Sequence, residues 1–412
     1  MKFLTISAII ISLAFASGKP EVNEWRGAGR TGVYPDKDLL KVWPETGPTE
    51  VLRIENIGNG FVSPVFSEDR LYISGEIDSM SLLFCFDLRG QKQWQTVLGR
   101  EWTKTFRGTR SAATLAGDLL YVGTGNGNLF CVRCSNGRIE WSKDLKNDFG
   151  AKLPLHGHSA SPLVDGDKVY WMAGGEENNM VALDRFTGSL LWSNKGFGEV
   201  EAYNSPKLIE LPKGKIVVTF SAYHLMGFDA ASGKLLWSQE QDVYPLDKRS
   251  PGNGDTHCNT VLYEDGAIYY EAGDGNCGVK LKLSANGDSI TQEWRNNRFD
   301  GYMGGMVKIG NFVYGSVTTR PQLMSLNAAT GSIADSLSVG TGALIAADNM
   351  LYYYNQKGDM NLVSINEGKF TKVSSFHITE GAMQHFAHPV INKGLLWQRH
   401  GNVLLAFDIR KK

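Results

Sequence analysis

One segment of this chain keeps returning, and its spacing limits the fold more than any other property. Apolar residues run into an Asp or a small residue, a turn follows that ends in Gly, and Trp stands four residues beyond that Gly. Phe84-Cys85-Phe86-Asp87 leads through Gly90 to Trp94, and Phe130-Cys131-Val132 leads through Gly137 to Trp141. Val181-Ala182-Leu183-Asp184 leads through Gly188 to Trp192, and Met226-Gly227-Phe228-Asp229 leads through Gly233 to Trp237. A looser copy runs from Leu281-Lys282-Leu283 through Gly287 to Trp294. The steps between these tryptophans are 47, 51, 45 and 57 residues. A period near 45 in a strand-rich chain implies a β-propeller, a ring of four-stranded blades.

Each copy parses into four short strands. Asp at the head of the turn can bond the backbone ahead of it, and the closing Gly accepts positive φ. The tryptophans Trp94, Trp141, Trp192, Trp237 and Trp294 are expected to end the fourth strands and cover the seams between blades. Small residues mark the first strands, which crowd around the axis: Ser63-Pro64, Ala112-Ala113, Ser161-Pro162, Ser205-Pro206, Asn259-Thr260, Gly304-Gly305, His388-Pro389 and, least clearly, Gly342-Ala343. That makes eight copies. The last stops at Phe407-Asp408-Ile409, before a fourth strand, while Val51-Leu52-Arg53-Ile54 precedes the first copy. The expected fold is an all-β, eight-bladed β-propeller of four-stranded blades, closed by that N-terminal strand so that no edge stays open. Two copies lack the Trp, with Asp335 and Lys372 in its place, and looser seams are expected around blades six and seven.

Residues 1–16 read as a secretory signal, with Lys2, an apolar run over Ile6–Ala16 and an Ala14-Phe15-Ala16 cleavage site. The expected layout is a signal peptide over 1–16, an N-terminal arm over 17–50 and one propeller over 51–412. The mature protein is expected to be exported, periplasmic or secreted, with no transmembrane segment. Net charge is −1 with both signs dispersed, which argues against nucleic-acid binding. Of the five cysteines, Cys85 and Cys131 occupy a small core position. Cys258 and Cys277 fall at one end of one blade and are a disulfide candidate. Cys131 and Cys134 have C-x-x-C spacing but no second pair or helix, which disfavours zinc or redox chemistry.

The repeat resembles the pyrroloquinoline-quinone-like (PQQ-like) propeller family, with its A-L-D-x-x-T-G-x-x-x-W signature. Val181-Ala-Leu-Asp-Arg-Phe-Thr-Gly-Ser-Leu-Leu-Trp192 matches it almost throughout. The opening Trp25-Arg-Gly-Ala-Gly-Arg30-Thr-Gly32, with Trp43-Pro44, is similar to the arm of exported bacterial members. The resemblance implies one of two roles. One is a non-catalytic envelope scaffold or ligand-binding protein, like outer-membrane protein assembly factors of the BamB type. The alternative is a quinone-dependent alcohol dehydrogenase carrying pyrroloquinoline quinone and calcium. The dehydrogenases carry two adjacent cysteines, which this chain lacks, so the resemblance favours the scaffold.

Just before the small first-strand residues stand Phe61, Arg110, His158, Tyr203, His257, Tyr302 and Phe386. Successive blades are expected to aim them at one axial mouth, as a pocket for an anionic or planar ligand or as a plug. In the dehydrogenase reading Arg110 would hold quinone carboxylates and Asp300 would be the base. His156 and His158 can share a strand face as metal ligands, with His257, Asp255 or His385 as a third. Asp274-Gly-Asn276 resembles half of a calcium loop. The long connection from Gln239 to His257, and the arm with Trp25 and Trp43, are the expected places for an envelope protein partner; the arm residues can instead fold back on the rim.

Overall fold

The computed structural model describes residues 21–411, so the expected signal segment and its cleavage site lie outside the described residues. Eight antiparallel sheets follow one another around the ring, each with four strands of a blade. Blade three is representative, with strands Leu163–Asp165, Lys168–Met172, Met180–Asp184 and Leu190–Asn194 from axis to rim. Its second and third strands are almost wholly buried because neighbouring blades cover both faces. The outer strand is largely exposed or half-buried. The sequence follows this gradient, with continuous apolar runs inside and alternating polar residues at the rim.

The recurrent segment works as a hairpin device. Asp184 Oδ1 accepts from the backbone amides of Phe186 and Thr187 at 3.0 and 2.8 Å. Gly188 closes the turn at φ 72°. In every blade the pairing between third and outer strands then slips by a β-bulge, as between Ala182 and Leu183. The slip puts Trp opposite the small residue, as in Ala182 with Trp192. Trp192 therefore stands in the middle of the outer strand, not at its end as the spacing had suggested. The seam role holds: Trp94, Trp141, Trp192, Trp237 and Trp294 each donate an indole N–H to a carbonyl of the next blade, at 2.9–3.2 Å.

Blade eight is closed as expected. Its strands Val390–Asn392, Leu395–His400 and Val403–Asp408 receive Thr49–Ile54 as the outer strand, antiparallel to Val403–Asp408. Leu52 takes the place of Trp there, beside Gly90 of blade one.

The seams of blades six and seven are not loose. At the first, Asp335 accepts from the amide of Phe370 at 2.9 Å, and Phe370 packs on Tyr314 with ring centroids 5.7 Å apart. At the second, the bulge places Ser374, not Lys372, at the Trp position. Trp43 of the arm fills that gap, 3% exposed, with its backbone N–H on Ser374 Oγ at 3.0 Å and its ring against Phe376 and Tyr352.

The arm reaches this seam by crossing the channel. Val22–Asn23 pairs with the inner strand of blade two, and Val33–Tyr34 runs parallel to the inner strand of blade seven. Between them, Arg30 donates to the carbonyls of Ser161, Pro162 and Pro206 and pairs with Glu24 at 2.6 Å. Arg26 donates to the carbonyls of Leu344 and Met306 and to His388 Nδ1. The glycines at 32 and 305 make room, since a Cβ on either would stand 2.2 or 2.0 Å from the Arg26 guanidinium. The arm is a plug through the axis, and Trp25 and Trp43 belong to the interior rather than to an exposed interface.

Candidate functional site

With one mouth filled by the arm, the channel is a blind cup of about 430 Å³. It opens on the face that carries the connections between outer and inner strands. Trp25 and His388 lie at its base, edge to face with centroids 5.0 Å apart. An arc of rings climbs the wall. Phe61 to Phe386 is 5.4 Å, Phe386 to Phe106 is 5.9 Å, Phe106 to His156 is 5.4 Å, and His156 to Tyr203 is 5.8 Å. Tyr302, Thr256, Cys258 and Asp274 line the opposite side.

Of the seven residues expected at the mouth, Phe61, Arg110, Tyr203, Tyr302 and Phe386 line the cup. His158 and His257 do not. Each is buried inside its blade, against Trp171 and Phe220, with Nε2 on the carbonyl of Met172 or Ala222 at 2.9 and 3.0 Å. Burial pushes both imidazoles down to about 4, so they are neutral core groups. His156 does line the cup, but Gly157 at φ 76° turns the chain, so His156 and His158 share no face. His385 stacks on His400 at 3.7 Å and meets Tyr354, away from His156 and His158. Asp300 lies outside the lining, accepting from the amide of Gly275 at 3.1 Å, and so has no access to a ligand in the cup. Asp274 accepts from the amide of Thr256. Cys258 and Cys277 are both free thiols. The disulfide expected between them is therefore not formed: Cys277 opens the third strand of its blade, while Cys258 lies on the connection before the first strand, in the lining of the cup.

Arg110 braces the rim. Its guanidinium donates to the carbonyls of His156, Thr105, Phe106 and Gly108, tying two connections together. Burial lowers its pKa. Two carboxyls stand behind the wall. Glu101 accepts from the amides of Trp102 and Gly125, and Glu201 from those of Ser159 and Tyr203. Burial pushes both up, Glu201 to about 8, against the pull of its two amide donors and Arg110 and with a further push from Asp255. Folded Glu201 keeps its proton to about pH 8, while the unfolded chain releases it near 4.5. The folded state binds more protons between those values, so its advantage is full below that interval and is lost as pH rises through it. Urea midpoints are expected to fall between pH 5 and pH 8, and to fall less in Glu201→Gln.

A quinone with several carboxylates and a calcium ion does not fit these residues. Arg110 is the one guanidinium among the described residues lining the cup, and four carbonyls already occupy its two terminal nitrogens, leaving the buried Nε–H alone without a partner. Asp274 is the one carboxylate lining it, and no group of three or more His, Cys, Asp or Glu among the described residues is placed to hold a metal ion.

Comparison with known proteins agrees with the architecture. The fold is similar to the crystal structure of BamB from Moraxella catarrhalis, with a TM-score of 0.61 at 14% identity over 88% of this chain and 98% of that one. It is also similar to quinohemoprotein alcohol dehydrogenase from Comamonas testosteroni, with a TM-score of 0.51 at 13% identity over 93% of this chain and 79% of that one. At such identities these likenesses show the fold alone. Two curated relatives are described as outer membrane protein assembly factor BamB. That of Shewanella oneidensis is 27% identical over 141 residues, covering 34% of this chain and 33% of the relative. That of Moranella endobia is 26% identical over 211 residues, covering 50% of this chain and 51% of the relative. The matches thus span a third to a half of those relatives. The model of the family described as outer membrane protein assembly factor BamB matches residues 79–337, well over half of the sequence, and the chain belongs to that family.

Proposed function

We propose that this protein is an exported, non-catalytic scaffold of the cell envelope that docks a protein partner through the loop-rich face around the cup. The observation that carries this reading is a set of exposed apolar side chains on the connections between blades. Phe106, Leu155, Phe197, Val243, Leu246 and Met383 are 40–76% exposed, and each lies on an outer-to-inner-strand connection, hence on one face. These are six of the fourteen exposed large apolar side chains among the described residues, and sharing the face around the cup they fit a docking surface. Val243 and Leu246 sit on the long connection from Gln239 to His257, which Arg249 braces through Glu240 and the Tyr244 carbonyl. The relatives named as outer membrane protein assembly factors support an envelope role, as does the sequence over residues 1–16. No helix among the described residues is long and apolar enough to cross a membrane. The donor set of the cup gives a quinone-dependent dehydrogenase no support, and titration with pyrroloquinoline quinone and calcium is expected to give no heat.

The test is capture of envelope proteins by Val243→Asp/Leu246→Asp, at two exposed rim positions outside the cup lining, beside the unchanged protein. Val97→Asp, at an exposed position on the outer strand of blade one, is the control. The double variant is expected to lose at least tenfold of the captured partner with an unchanged melting temperature, and the control to lose none. Equal capture by all three would sink the docking reading.

A further inference from the structure

The base of the cup carries a hydrogen-bond donor that is fixed from behind. Arg26 Nη1 lies 2.9 Å from His388 Nδ1. A guanidinium has N–H donors and no acceptor, so Nδ1 must accept and the ring proton must sit on Nε2. Burial, helped by the adjacent guanidinium, holds this imidazole well below its ordinary pKa, so the ring is neutral. His388 is 8% exposed, and what it exposes lines the cup. Its Nε2 has no hydrogen-bond partner among the described residues. The result is an unpartnered N–H on a nearly buried ring at the foot of a cavity, with its tautomer locked.

The charge at the base of the cup is unbalanced in the same sense. Arg26 is fully desolvated and still protonated at neutral pH, its pKa drawn down only to about 10. Its partners are two carbonyls and His388, and none is a carboxylate. Arg110 does not share this isolation, because the Glu101 carboxyl stands close enough to act on its charge. Arg30 differs, because Glu24 neutralises it. Asp274 stands with Tyr302 on the other side. A buried cation without a counter-charge, as Arg26 is, favours an anion brought into the same low-dielectric space. The rising arc of Phe61, Phe386, Phe106 and Tyr203 offers faces and edges to a flat ring.

We propose that the cup binds a small aromatic monoanion, one or two rings bearing a single carboxylate, with the ring against the aromatic arc and the carboxylate toward the His388 N–H. A cavity of about 430 Å³ accommodates such a molecule. This ligand is separate from the partner on the rim. A cup without affinity leaves the docking reading standing, and lost capture by the rim variant leaves the cup unaffected.

The experiment is calorimetric titration of the full chain at pH 7 with benzoate and indole-3-acetate, beside the neutral isosteres benzamide and indole-3-acetamide. Each acid is expected to bind at least tenfold tighter than its amide, the range for a hydrogen bond to a charged group. His388→Phe keeps a ring but removes the donor, and it is expected to weaken the acids about tenfold while leaving the amides unchanged. His388→Gln presents an acceptor to Arg26 and a donor to the cup, and it is expected to restore most of the affinity. Absence of heat from both acids at millimolar concentration would overturn the proposal. So would amides that bind as tightly as acids, or a folded His388→Phe with unchanged acid affinity. The acid–amide comparison needs no variant, so it stands even if His388→Phe fails to fold.

Discussion

Replacing Trp43 with alanine is expected to lower the unfolding free energy by about 4 kcal/mol, the usual range for removing a buried large aromatic side chain. Trp43 is 3% exposed and lies between blades seven and eight. Its neighbours Phe376 and Tyr352 have ring centroids 5.3 and 5.9 Å away, and Phe376 in turn packs on Phe407 at 4.9 Å. These rings come from both blades, so they cannot close the gap without moving the ring of blades. Trp43→Phe is expected to restore more than half of the loss, because it refills most of the space and removes an indole N–H that has no partner. Urea unfolding followed by circular dichroism checks both. A loss below about 1 kcal/mol for Trp43→Ala would mean that the arm only leans on the seam.

Arg26→Met is expected to cost about 3 kcal/mol. The substitution leaves the carbonyls of Leu344 and Met306 and the Nδ1 of His388 without their donor in the interior. Each such loss costs about 1–3 kcal/mol, and relief from burying the guanidinium offsets part of the sum. The acceptors come from blades six, seven and eight, so the arginine fastens three inner strands at once. Arg26→Lys is expected to rescue little, because a single ammonium cannot meet divergent acceptors as the planar fork does. Thermal unfolding of the two variants decides the matter. A lysine variant as stable as the native protein would show that charge alone, and not the fork, holds the arm.

The repeat was legible because it is local. Asp184, Gly188 and Trp192 lie within nine residues, and their turn, bulge and indole contact recur from blade to blade. The closing strand was legible because a copy lacking its last strand implies a donor elsewhere. At the cup, short-range alternation decided success or failure. Thr256 and Cys258 face inward, so His257 between them faces the blade. His156 and His158 lost their common face at Gly157. One signal at the base was present in the sequence: His388 occupies a first-strand position where other copies hold serine, alanine, asparagine or glycine.

The sequence by itself determined the number of blades, their strand order, the closure and the seams made by the repeated tryptophans. Each of these follows from side chains within one copy or from the bookkeeping of copies along the chain. The tertiary structure alone decided that Trp43 replaces a missing seam tryptophan, and that Arg26 turns an open channel into a cup and orients His388. Arg26 and His388 are 362 residues apart, and the acceptors they share the axis with are backbone carbonyls, which carry no residue-type signature. Such contacts exist only once the ring has closed around the arm.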